Sequence, residues 1–100
     1  MQIEFSEIAI KSLRDQIIFL EVTWTNKEII SFLKDIRKVS DDLKENKFNI
    51  YQQYSKDIRS ALIGRKHVRM FFKKENGEKI IVLLFFDMRQ NPERLNEVLK

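Results

Sequence analysis

Seven apolar residues in a row, Ile80 to Phe86 (IIVLLFF), constrain this chain more than any other feature. A strand with one wet face alternates; one buried on both faces reads as a continuous apolar run. The run is far short of the ~20 residues that cross a bilayer as a helix. It therefore predicts a central strand covered on both sides. A chain of 100 residues with 43% apolar content has material for one such core, so residues 1–100 are expected to form a single domain.

The elements around that strand follow from periodicity. Gln2 to Phe5 alternates and reads as a first strand. Ser6 is an N-cap for a helix whose stripe is Ile10, Leu13, Ile17, Leu20 and Trp24. Ile18, Phe19 and Val22 widen that stripe, which predicts cover on more than one side. Thr25-Asn26-Lys27-Glu28 is a capping box and starts a second helix, with Ile29, Phe32, Leu33, Ile36, Val39 and Leu43 on its face. Phe48 to Lys56 has no clear period and reads as a loop pinned by its aromatics.

The period then changes to two. Ile58 to Ile63 and His67 to Lys73 read as strands, and Asn76-Gly77 as the type I′ tip of a hairpin returning through Lys79 to Phe86. That tip pairs Arg69 with Leu84 and His67 with Phe86. Pro92 opens a short last helix. The expected fold class is α+β, in the order β-α-α-β-β-β(-α). A mostly antiparallel four-stranded sheet packs on an α-hairpin.

The chemistry is sparse. There is no cysteine and one histidine, which excludes disulfides and thiolate metal sites and is compatible with a reducing, cytoplasmic setting. No signal peptide is legible at the N-terminus. Nucleotide-binding and hydrolase motifs are absent, and neither a metal nor another cofactor is expected. A net charge of +4 permits a polyanionic or acidic partner. Cations do converge in the predicted sheet. Arg69 shares a strand face with His67, Phe71 and Lys73, while Arg65 and Lys66 lie at its end and Arg89 follows the central strand. Guanidinium groups bind phosphate bidentately, and a histidine can exchange protons near neutral pH. Asp87 is expected to hold Arg89 or a turn backbone. Phe71 among cations suits stacking on a base, and equally cover by a partner chain or by the last helix.

The whole chain resembles the RelE/ParE superfamily of toxins from type II toxin–antitoxin modules, in its plasmid-stabilisation branch. The residues that carry the likeness are Ile3-Glu4-Phe5, Ala9, Leu13, Trp24, Arg59, Leu62-Ile63 and Lys66-His67. The most specific segment is FFDMRQNPERL, Phe85 to Leu95. The resemblance implies a toxin neutralised by an antitoxin, with an acidic antitoxin segment folding onto it. RelE-like members cut messenger RNA on the ribosome without a metal; ParE-like members inhibit DNA gyrase by binding. Carried over, Arg69 matches the family's strand arginine and Arg89 the arginine that follows the last long strand. With His67, offered with Arg65 and Lys66 as a substitute for the missing basic residues, they are the candidate catalytic residues. Arg59, Arg65, Lys66, Phe71 and Lys73 are, by their place in the predicted sheet, the candidate RNA contacts. This sequence has only Arg59 as a cation within 58–63, where nucleases of the family carry paired lysines. It also has Leu95 near the position of their C-terminal tyrosine. The expected activity is endoribonucleolytic, with gyrase binding and an inactive, antitoxin-binding scaffold as alternatives.

Overall fold

The computed structural model describes residues 1–64 and 67–99. It is an α+β arrangement of three α-helices and a five-stranded sheet. The elements are β1 (Gln2–Phe5), α1 (Glu7–Thr23), α2 (Asn26–Lys44), β2 (Gln52–Gln53), β3 (Ile58–Ile63), β4 (Val68–Asn76), β5 (Lys79–Asp87) and α3 (Pro92–Leu99). A 3-10 turn, Phe48–Ile50, precedes β2. The sheet order is β1-β5-β4-β3-β2, with β1 parallel to β5 and the other pairs antiparallel. No helix among the described residues is long and apolar enough to cross a membrane.

The expectation of four strands is corrected to five. Gln52 and Gln53 pair with Ser60 and Arg59 inside a segment read as loop. Two glutamines carry no hydrophobic period, so nothing in the sequence marks them. Tertiary contacts hold the strand there. The Arg59 guanidinium donates to the Tyr51 carbonyl at 2.8 Å. The Tyr51 hydroxyl donates to Asp42 on α2 at 2.6 Å.

Local signals explain the helix starts. Ser6 accepts from the Ala9 N–H at 3.0 Å. Thr25 and Glu28 exchange both bonds of the capping box, at 3.3 and 3.2 Å. α2 buries Phe32, Ile36, Val39 and Leu43 as its period predicts, with Ile29 half-buried; Leu33, read onto the same face, is instead exposed. α1 does not follow suit. Only Ala9 and Leu20 are buried, while Ile8, Ile10, Ile18, Phe19 and Val22 are exposed. The expected cover on a second side of α1 is absent from this structure.

The central strand is β5, and both its faces are covered. On the helix side Ile80, Val82 and Phe85 join Met70, Phe72 and the α2 residues in the main core. On the other side Leu84 and Phe86 join Ile58, Phe71 and Leu95, the last supplied by α3.

The hairpin register differs from the predicted one. Asn76 pairs with Lys79, so Gly77-Glu78 forms the loop, and Gly77 does not adopt positive φ. The Asn76 side chain instead accepts from the Glu78 N–H at 2.8 Å, a local turn that competes with the type I′ tip. Two irregularities follow, with Glu75 extra on β4 and Leu83 extra on β5. The net result pairs Arg69 with Phe86 and Phe71 with Leu84.

The Leu83 irregularity is stabilised from α1. Past the end of β1 the edge of β5 has no strand neighbour, and two serines take its place. Ser6 Oγ donates to the Leu83 carbonyl at 2.9 Å, and Ser12 Oγ accepts from the Phe85 N–H at 2.9 Å. Buried backbone groups need such partners. The same serines seat α1 against β5.

Candidate functional site

The strand arginine and the arginine after β5 occupy different clefts. Arg69 lies next to Val68, which belongs to the helix-side core, so alternation turns Arg69 to the other side. Its Nη1 donates to Ser60 Oγ at 3.2 Å. Both residues line a cleft of about 370 Å³ that also includes Lys38, Gln52 and Leu62. This cleft wraps the edge of β3 beyond the short reach of β2.

Arg89 goes the opposite way. Asp87 pairs with Val68 and therefore faces the helices. Its carboxylate receives Arg89 Nε at 3.1 Å, Nη2 at 2.6 Å and the Arg89 backbone N–H at 2.9 Å. This fulfils both expectations for Asp87 at once: it holds the guanidinium and the turn backbone. Arg89 is thereby fixed against α1, in a cleft of about 280 Å³ lined by Gln16, Phe19, Trp24, Asp87 and His67.

The two clefts share no residue. The predicted common rim of Arg69 and Arg89 is therefore corrected: the sheet separates them. His67 goes with Arg89. It is exposed, and its carbonyl accepts from the Met88 N–H at 2.7 Å.

The remaining candidates are placed as follows. Of the alternatives open for Phe71, the structure shows cover by the last helix: it is 1% exposed, in a cluster with Leu95 and edge-to-face with Tyr54 at 5.4 Å between ring centroids. A base cannot stack there while α3 is docked, because Leu95 fills the same cluster. Arg59 is half-buried on the helix side. Its guanidinium lies 5.3 Å from the Phe48 ring centroid, which commits it to the packing of the 48–53 segment. Lys73 is exposed. Arg65 and Lys66 lie outside the described residues. Sequence reasoning missed Ser60, although a lone hydroxyl in the apolar strand IRSALI is the type of residue that takes a buried partner. It also missed Gln16, whose polar position inside an apolar helix stripe was the available signal. Among the described residues no group of three or more His, Cys, Asp or Glu is arranged to hold a metal ion.

Electrostatics mark two carboxylates. The Arg89 hydrogen bond holds Asp87 below the ordinary carboxylate value, against the opposing effect of burial. The Tyr51 hydroxyl does the same for Asp42, with help from Lys38 and Lys47. Burial and then Asp42 push the Tyr51 hydroxyl well above its usual value, so it stays a donor. A depressed folded-state value stabilises the fold above the unfolded value of about 4 and loses that contribution as pH falls through the folded value. The acid limb of a stability–pH profile, measured by urea unfolding, should therefore be shallower in Asp42→Asn/Asp87→Asn than in the wild type. An unchanged limb would assign acid sensitivity to other groups.

No protein-family model, curated protein or solved structure matches the chain.

Proposed function

We propose that this chain is a cytoplasmic toxin of the RelE/ParE kind that acts by docking on its target rather than by cutting RNA. One observation carries the choice between the two modes. Arg69 and Arg89 lie on opposite sides of the sheet, each already bonded within the chain, to Ser60 and to Asp87. Metal-free phosphodiester cleavage needs donors converging on one phosphate, because the developing charge is stabilised only by groups already aimed at it. Docking needs no such convergence. The resemblance supplies the target class, a DNA topoisomerase of the gyrase type, and a neighbouring acidic antitoxin that neutralises the chain.

Induced expression without an antitoxin tests this reading. Growth should stop, primer extension should find cellular messenger RNA intact, and plasmid DNA should become relaxed or cleaved. Cuts within translated codons overturn docking. Unaffected growth overturns toxicity altogether and leaves an antitoxin-binding scaffold.

One observation favours the cleavage reading: His67, Asp87 and Arg89 line a single cleft, so a proton-exchanging group and a guanidinium are together. In that case the codon cuts appear and depend on His67. Their loss by a hundredfold or more in His67→Ala is the expected size for a general acid or base.

A further inference from the structure

We infer that the outer face of α1 is a self-association surface, on which a second copy of this chain packs antiparallel about the two-fold midpoint beside Ile18. The face lies outside the core and carries exposed apolar side chains beside charged ones. Val22 is 85% exposed and Ile18 58%, with Ile8, Ile10 and Phe19 about half exposed along the same helix. Ile18 and Val22 are four apart and form one ridge. Scattered exposed apolar side chains are ordinary, but a ridge of them on one element marks an interaction surface.

Charge selects the occupant. α1 carries Glu7, Lys11, Arg14, Asp15 and Glu21, two basic and three acidic residues, so its face does not call for a partner of one sign. Arg14 and Glu21 are seven apart, only ~20° from alignment along the helix, and so lie on one edge of the ridge. Both are exposed, and among the described residues neither is held in an ion pair. An antiparallel two-fold about their midpoint, between Ile17 and Ile18, sets Arg14 of each copy against Glu21 of the other. A two-fold contact is self-complementary by construction, and this edge meets that condition. A helix of 17 residues is about 25 Å long, and two such faces bury on the order of 1,000 Å², the low end of specific interfaces. The dimer is accordingly a weak one that forms with rising concentration.

Sedimentation velocity of the purified chain over a concentration series tests this. The mass should move from monomer to dimer. Val22→Asp should stay monomeric; its side chain lies in solvent, so circular dichroism should show an unchanged fold. Arg14→Glu and Glu21→Arg should each weaken association by about tenfold or more, equivalent to ~1.4 kcal/mol. The double variant Arg14→Glu/Glu21→Arg should restore it to within a few-fold of wild type, because the pair is rebuilt with reversed sign. A monomer at every concentration overturns the inference and gives the face to another occupant. So does a dimer indifferent to Val22→Asp, or a double variant no better than either single one.

Discussion

Phe72→Ala is expected to destabilise the fold by about 3–5 kcal/mol, the range for deleting a fully buried aromatic side chain. Phe72 has no exposed surface and lies in the main core. Phe48 and Tyr51 meet its ring edge-on, at 5.8 and 5.5 Å between centroids. Such pairs add roughly 0.5–1.5 kcal/mol beyond the area they bury. The loss therefore spreads beyond the cavity. Phe48 and Tyr51 anchor the 48–53 segment, and Tyr51 ties it to Asp42. For a domain of this size each kcal/mol moves the melting temperature by about 4–8 °C, so a fall of roughly 15 °C or more should appear in thermal unfolding. A loss below about 2 kcal/mol would mean that the 48–53 segment collapses into the space and was not rigidly seated.

Gly64→Ala should cost about 2–4 kcal/mol, of which roughly 1–2 comes from the left-handed backbone alone. Gly64 has φ of +69°, a region that a side chain enters only with strain. An added Cβ would lie 2.9 Å from Phe32 Cδ1 on α2 and 3.2 Å from the Trp24 ring at the end of α1. Phe32 is fully buried and has nowhere to retreat. The backbone N–H of Gly64 also donates to Asp35 at 2.9 Å, which ties the end of β3 to α2. Gly77→Ala is the internal control. Its φ is not positive and a Cβ there meets nothing within 4 Å. That substitution should be neutral or stabilising by up to about 1 kcal/mol, through lost freedom of the unfolded chain. Urea unfolding of the two variants side by side decides the matter. Equal costs would overturn both the strain argument at Gly64 and the observed loop at Gly77-Glu78.

The contrast between these glycines shows where sequence reasoning was strong and where it failed. Asn76-Gly77 is a strong signal for a type I′ tip, yet the turn forms one residue later, because the Asn76 side chain bonds the Glu78 N–H instead. Gly64 reads in the sequence only as the residue that ends a strand. Its positive φ, which glycine adopts without strain, and the lack of room for a Cβ beside Phe32 depend on residues far apart along the chain.

The candidate site fared similarly. Asp87, two residues before Arg89, was legible as its partner, because the spacing is local and opposite charges that near each other pair readily. The relation of Arg69 to Arg89 was not. It depends on which side of the sheet each leaves, and a chain turn after β5 carries Arg89 to the helix side. For Phe71, alternation placed it on the face away from the main helices and left open a base, a partner or the last helix as its cover; the docking of α3 made the choice.

Elements with a strong internal period or a local cap were determined by the sequence alone. These are both long helix starts, the apolar face of α2, the three-stranded meander and the doubly covered central strand. Their signals come from neighbours within a few residues, whose energetics are the same in any fold. Tertiary structure decided the rest: the fifth strand, the irregularity at Leu83, the bare face of α1 and the separation of the two arginines. Each of these depends on surfaces that meet only after the chain has folded.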